Sequence, residues 1–364
     1  MPSKKYALLA AALLSASGFG AMAADNEESL WGYADPSADV VVYINTKQPE
    51  KAMDKEVWDR IQKDKNQALK EKEEKGGGMF DTKNRDMEVI ANLRIATVTP
   101  FSGSIEGVAN ISGNLQGDID KLMETMNQKE GSMPQPQVSK KDDMNFYNLS
   151  LAGKDNTQGA DVMVVPITPN QIQFRININP KDKMSQSLLT ATPASSGNKP
   201  PPESFAKLAG QDVAFACYLV PEKLVGLNPA DTDAMEALNS FMKKISDIGL
   251  TAQVSGALTI LKGSFTFKSE ADAAAAAESA TDILPAIKSY FGTEQQSPRS
   301  TVNGKILELT IPLNTSDAWD MISRLTDENG SLDFFGIDPE SDDPKPTKVG
   351  DQEITPNALP GQTE

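Results

Sequence analysis

Histidine is absent from all 364 residues, and cysteine occurs once. The first absence removes Ser-His-Asp and Cys-His nucleophile systems and nearly all catalytic zinc sites, because imidazole is the usual general base near neutral pH and the commonest metal ligand. The second removes any internal disulfide. Aromatics make up 6% of the chain, too thin a supply of rings for a stacked carbohydrate platform. Basic residues are outnumbered, 35 against 51 acidic, so the field repels nucleic acid and anionic membrane surfaces. After the N-terminus no apolar run approaches the roughly 18 residues of a membrane span.

The N-terminus itself is the most informative stretch present. Lys4 and Lys5 precede an apolar run from Tyr6 to Met22 that ends in Ala21-Met22-Ala23, the charged, apolar and small-x-small regions of a secretory signal. No cysteine follows at the position a lipoprotein needs for acylation. The sequence therefore predicts an exported, soluble protein of the periplasm or cell surface. Loss of the two lysines takes the formal charge from −16 to −18.

Two stretches read as unable to pack. Ala191 to Glu203 is rich in proline and small polar residues, a stiff solvated connection. From Thr326 onward there are ten acidic and two basic residues, with Leu332 to Ile337 as the one apolar patch; this predicts a disordered acidic tail. The resulting division is a signal peptide over 1–23, an N-terminal unit over 24–190, a linker over 191–202, a C-terminal unit over 203–330 and the tail over 331–364.

Both units show a similar order of elements. Each opens on an apolar strand after an Asp-Val step, Asp39-Val-Val-Val-Tyr-Ile-Asn45 and Asp212-Val-Ala-Phe-Ala-Cys-Tyr-Leu219. A helix is predicted from about Pro49 to Lys75, with Met53, Val57 and Ile61 in register. Its counterpart carries Met235, Leu238, Met242 and Ile245. Gly76 to Gly78 and Gly249 are read as the stops. Alternation then marks hairpins at Ile105, Ala109 and Ile111 and at Leu250 to Phe267. Helices follow at Ile119 to Met126 and after Ser269-Glu-Ala-Asp272, a capping sequence. Pro285 is expected to kink the second of these. Gln171 to Asn179 and Leu307 to Leu313 alternate as closing strands. The fold class predicted is α+β: two similar units of antiparallel sheet with helices packed on one face, plus the tail.

Motifs for chemistry resolve mostly into packing. Ser204-Phe-Ala-Lys207 fits S-x-x-K, but S-x-N and K-T-G do not follow it, so Ser204 is read as a helix cap. Asp327, Asn329, Ser331, Asp333 and Asp338 have calcium-loop spacing, yet Leu332 stands where the loop needs glycine. Met123 and Met126 share an apolar face with Ile119 and Leu122, as core methionines do. Cys217 lies in a strand and reads as a small buried hydrophobe. No Walker loop, dinucleotide fingerprint or nucleophile elbow is present.

No catalytic, cofactor-binding or metal-ligating residue is assigned. The function predicted is a non-enzymatic binding or scaffolding protein whose partner is a protein or a hydrophobic ligand. The alternative is a periplasmic carrier of a lipid or similar molecule, and the third reading a carboxylate- or serine-based hydrolase. Mass spectrometry of exported material is expected to find Ala24 as its first residue; an intact Lys4-Lys5 end would mean an uncleaved anchor.

Overall fold

The computed structural model describes residues 30–63, 86–98, 102–113, 115, 117, 119–120, 137–141, 144–151, 159–179, 188–189, 201–225, 233–291 and 297–316. The signal sequence, most of the linker, Met123, Met126 and everything from residue 317 onward lie outside them. The fold is mixed, and mostly antiparallel sheet.

Among the described residues twelve strands form one sheet. They are β1 (Val40–Asn45), β2 (Met87–Thr97), β3 (Ser102–Ile111), β4 (Gln137–Lys141), β5 (Met144–Leu151), β6 (Ala160–Thr168), β7 (Gln171–Ile178), β8 (Phe215–Leu219), β9 (Ile245–Ser255), β10 (Leu258–Phe267), β11 (Arg299–Asn303) and β12 (Ile306–Asn314). Their order is β11-β12-β10-β9-β8-β1-β2-β3-β7-β6-β5-β4. The two expected sheets are therefore one, because β1 and β8 pair antiparallel from Val40↔Leu219 to Ile44↔Phe215. Both strands are apolar along their length, so each reaches its low-energy state only with a neighbour on either side.

Helical segments pack on both faces rather than on one. A 3-10 turn, Leu30–Tyr33, and helix α2 (Glu203–Leu208) cover the face that carries Tyr43, Ile90, Val108, Ala216 and Tyr218. Helices α4 (Asp233–Lys243) and α5 (Glu270–Phe291) lie on the opposite face, where Met242, Ala273, Ala276 and Ala277 meet Ile248, Phe265 and Leu307. In the first core Trp31 stacks on Tyr43 at 4.9 Å, and Phe205 meets Tyr218 edge-on at 5.4 Å. Full burial of a side chain such as Phe205 contributes roughly 1.5–3 kcal/mol.

Local chemistry explains where the helices differ from expectation. The helix expected from Pro49 is a short α1 (Lys47–Ala52) that breaks at Met53, which is extended at φ −83° and ψ 150°. Gly256, at the tip of the β9–β10 hairpin, donates to the Ala52 carbonyl at 2.7 Å and accepts from the Asp54 amide at 3.1 Å. That bridge competes with the helix and wins; helical turns resume over 55–63, where Ile61 is buried. Helix α3 (Pro221–Leu224) follows β8 directly.

Ile245 belongs to β9, not to the helix before it, because it pairs with Phe267. Gly249 likewise stops no helix. It sits mid-strand in β9, and a Cβ there would stand 3.1 Å from the Ser204 carbonyl oxygen and 3.3 Å from the Ser204 Cβ. The glycine lets α2 lie directly on the sheet. Ser204 is not the cap of α2 either: Pro202 holds that position without a side-chain hydrogen bond.

The expected cap of α5 is present. Ser269 Oγ accepts from the Asp272 amide at 3.1 Å and donates to the Asp272 carboxylate at 2.6 Å. Ser269 and then Lys244 hold the Asp272 carboxyl below its usual range. Pro285 lies within α5, which continues to Phe291.

Gly249→Val is expected to lift α2 off the sheet and lower stability by roughly 1–3 kcal/mol. Urea unfolding measures this, and an unchanged midpoint would refute the close-packing account.

Candidate functional site

Polar side chains concentrate on the sheet face beneath α2 and the 3-10 turn, in three groups. The first is centred on β1 and β2. Tyr43 donates to Glu88 at 2.9 Å, and Asn45 donates to the Tyr43 hydroxyl at 3.2 Å. Glu88 is buried. Burial first, and the adjacent Glu88 charge second, push the Tyr43 hydroxyl well above the ordinary tyrosine range.

The second group lies under α2. Thr266 donates to the Asp247 carboxylate at 3.1 Å, which leaves the threonine oxygen to accept from Ser204 at 3.0 Å. Ser204 and Asp247 are both buried. Tyr218, on the neighbouring strand, is pushed up to about 12 by burial and then by Asp247 and Asp39.

The third group crosses β2, β3 and β7. Arg94 pairs with both Asp35 and Glu106, and Arg175 pairs with Glu106 at 3.0 Å. Burial works against the Arg94 charge, but the two carboxylates more than offset it and raise its pKa. Glu106 thus sits between two guanidinium groups in neighbouring strands, where the charges satisfy each other.

The S-x-x-K pair does not form a nucleophile and base. The Ser204 hydroxyl turns inward to Thr266, whereas Lys207 Nζ turns outward to Glu308 at 2.7 Å and Glu203 at 3.2 Å. Glu308 first, then Glu203, raises the lysine pKa, the opposite of what a general base at neutral pH needs. Cys217 lies in β8, buried, with its thiol pushed up to about 11 by burial. A thiol so protonated is a poor nucleophile. Asp327, Asn329, Ser331, Asp333 and Asp338 lie outside the described residues, as do Met123 and Met126.

Sequence reasoning passed over Glu88 and Asp247. Each is a lone acid in an apolar strand, Met87-Glu-Val-Ile90 and Ile245-Ser-Asp-Ile248, and a carboxylate at a core-facing register position is the signal that would have found them. Glu50 in α1 is raised by burial and then by the nearby Asp86. Among the described residues no group of three or more metal-ligating side chains converges, and no helix is long and apolar enough to cross a membrane.

A tyrosine whose folded pKa is raised keeps its proton while the unfolded chain, titrating near 10, has lost it. Its stabilising contribution is complete below about pH 10 and lost as pH rises through the folded value. Urea unfolding between pH 9 and 12 is expected to show wild type losing up to roughly 2 kcal/mol relative to Tyr218→Phe across that window. Parallel curves would refute the burial of the Tyr218 hydroxyl beside Asp247.

No family model matches the chain, and no curated protein does. Among solved structures, crystal forms IV and III of TP0453 each align with a TM-score of 0.42 and 13% identity, covering 82% of this chain and 97% and 99% of theirs. Crystal form I of TP0453 aligns with a TM-score of 0.39 and 11% identity, over 83% of this chain and 99% of that one. Likeness at this level fixes neither the fold nor the activity.

Proposed function

We propose that this is an exported, non-enzymatic binding or scaffolding protein of the bacterial envelope, built from two copies of one α+β unit joined edge to edge. The observation that carries the functional part is the fate of the polar groups. Ser204 and Asp247 are joined through Thr266, Glu106 pairs with Arg94 and Arg175 across strands, and Lys207 ties α2 to Glu308 of the sheet. They hold the sheet together and place no nucleophile beside a base.

The two-copy reading is supported by register. Residues 28–43 and 203–218 align without a gap, matching Glu28 with Glu203, Ser29 with Ser204, Ala34 with Ala209 and Tyr43 with Tyr218. Tyr43 pairs with Ile90 and Tyr218 with Gly249, so the buried acids Glu88 and Asp247 both lie two residues before the partner of the tyrosine. One residue after that partner, Ala91 faces Gly107 and Leu250 faces Gly263. An aromatic ring covers each glycine, although from non-equivalent positions: a Cβ would be 2.7 Å from Phe174 of the neighbouring strand in one and 2.6 Å from Phe265 of the same strand in the other. The agreement runs over three strands in each half and supports duplication.

A second reading, carriage of a lipid or other hydrophobic ligand, is favoured by one observation. The face opposite Tyr43 presents a lane of aliphatic side chains across β8, β1, β2 and β3, with Leu219, Val42, Ile44, Leu93 and Ile105 half-buried rather than buried.

Model ester, glycoside and peptide substrates are expected to be hydrolysed no faster than in buffer. Turnover that disappears in Glu50→Gln or Ser204→Ala would replace the binding reading with the hydrolase. A fluorescent fatty acid displaced by unlabelled lipid would favour the carrier.

A further inference from the structure

The sheet has two outer strands, and they are not equivalent. β4 exposes Val138, at 56%, but ends in Lys140 and Lys141, two charges that discourage a further strand. β11 carries Arg299 at its start and then Ser300, Thr301, Val302 and Asn303, with Thr301, Val302 and Asn303 exposed and Val302 open to 41%. Both edges expose a β-branched apolar residue, and β11, with one charge at its start against two on β4, is the less protected of the two.

The first half of the molecule indicates what such an edge accepts. Gly107 faces Phe174 and Gly263 faces Leu309, which makes β7 the counterpart of β12. The strand outside β7 is β6, and the strand outside β12 is β11. Gln173 pairs with Val165 and Glu308 with Thr301, so Val165 and Val164 correspond to Thr301 and Ser300. β6 does not end the sheet. Its outer edge carries β5, which puts Tyr147 opposite Val164. The same position on β11 has no such strand among the described residues.

We propose that the outer edge of β11 pairs antiparallel with β11 of a second copy of this chain, forming a two-fold dimer whose sheet runs through both molecules. Centred on Thr301, this register sets Thr301 against Thr301, Ser300 against Val302 and Arg299 against Asn303. Each exposed Val302 then lies opposite Ser300, the position whose counterpart faces Tyr147 in the first half. No like charges meet, and paired threonines are favourable across strands. A head-to-tail join of β11 with β4 in the equivalent antiparallel register would set Arg299 against Lys141, which is unfavourable. It would also leave open edges that grow into fibres, whereas the two-fold contact closes. The β5 comparison rests on the two-copy reading; the exposed edge and its self-complementary pairing do not.

The test is disulfide trapping and sedimentation of the full chain. Thr301→Cys is expected to give a covalent dimer under mild oxidation, while wild type, whose Cys217 is buried, and Val138→Cys on β4 do not. Wild type is expected to double in mass with rising concentration. Thr301→Lys, an exposed change that puts two ammonium groups across the axis, should weaken the dimer roughly threefold to tenfold, with an unchanged melting temperature in dilute solution where both proteins are monomeric. Thr301→Ser should restore it. A wild-type chain that stays monomeric at about 100 μM, well above the concentrations at which specific complexes form, would overturn the proposal. So would cross-linking through Val138→Cys instead of Thr301→Cys. Either failure leaves the register match between the halves untouched, because that match is internal to one chain.

Discussion

The antiparallel ladder between β1 and β8 is the constraint on which the rest depends. It joins strands from opposite sides of the proline-rich stretch, from Val40↔Leu219 to Ile44↔Phe215, and so converts two half-sheets into one. Without it both strands would be apolar edges with open amides and carbonyls, the arrangement most prone to aggregation. The ladder also explains the main core. Tyr43 and Tyr218 come from the two sides of the joint, and Trp31 and Phe205, one from each half, meet over it at 6.4 Å. The aromatic cluster seals the joint from above, and the joint positions the aromatics.

Segments that are not strands are fastened to this sheet by amide side chains acting as substitute peptide groups. Gln48 donates to the Val254 carbonyl at 2.9 Å and accepts from the Val254 amide at 3.2 Å. Gln173 does the same for Leu189, at 2.9 and 2.7 Å. Asn92 accepts from the Asp35 amide at 2.7 Å and donates to the Tyr33 carbonyl at 2.9 Å. All three amides are buried. Buried backbone groups need partners wherever a ladder is interrupted, and a carboxamide supplies donor and acceptor together. A carboxylate in its place would keep only the acceptor and bring a charge to be desolvated.

The parts of this fold legible in the sequence were those set by local pattern. β1, β7, β8 and β12 announce themselves by apolar runs or strict alternation, and the α5 cap by Ser269 and Asp272. What failed was decided by distant partners. Ile245 continues the helical spacing of Met242, so only its pairing with Phe267 makes it a strand residue. Gly249 looks like a helix stop until the backbone of Ser204 is seen against it. β4, Gln137–Lys141, is too polar to declare itself and is held by β5. The joining of β1 to β8 was invisible for a physical reason: uniformly apolar strands specify that they are covered, not by which neighbour. The candidate site was harder still. Ser204 and Lys207 stand out by their spacing, whereas the side chains that matter around them, Thr266, Asp247 and Glu308, come from strands some 40 to 100 residues further on.

Most of the perturbed titratable groups are held in one protonation state by their surroundings. An acid or base that does chemistry needs an environment that sets its pKa near the working pH and leaves one face for substrate. Lys207 and Arg94 are instead held in their charged forms by carboxylates, and Tyr43, Tyr218 and Cys217 in their neutral forms by burial. Each of these five shifts moves its group away from the range where it could exchange a proton at neutral pH, whereas Glu50, raised by burial and then by Asp86, moves toward it. The same shifts are what a broad, thin sheet requires. With few aromatics and no disulfide, its polar side chains must be locked into one protonation state and one set of partners if twelve strands are to keep a single register.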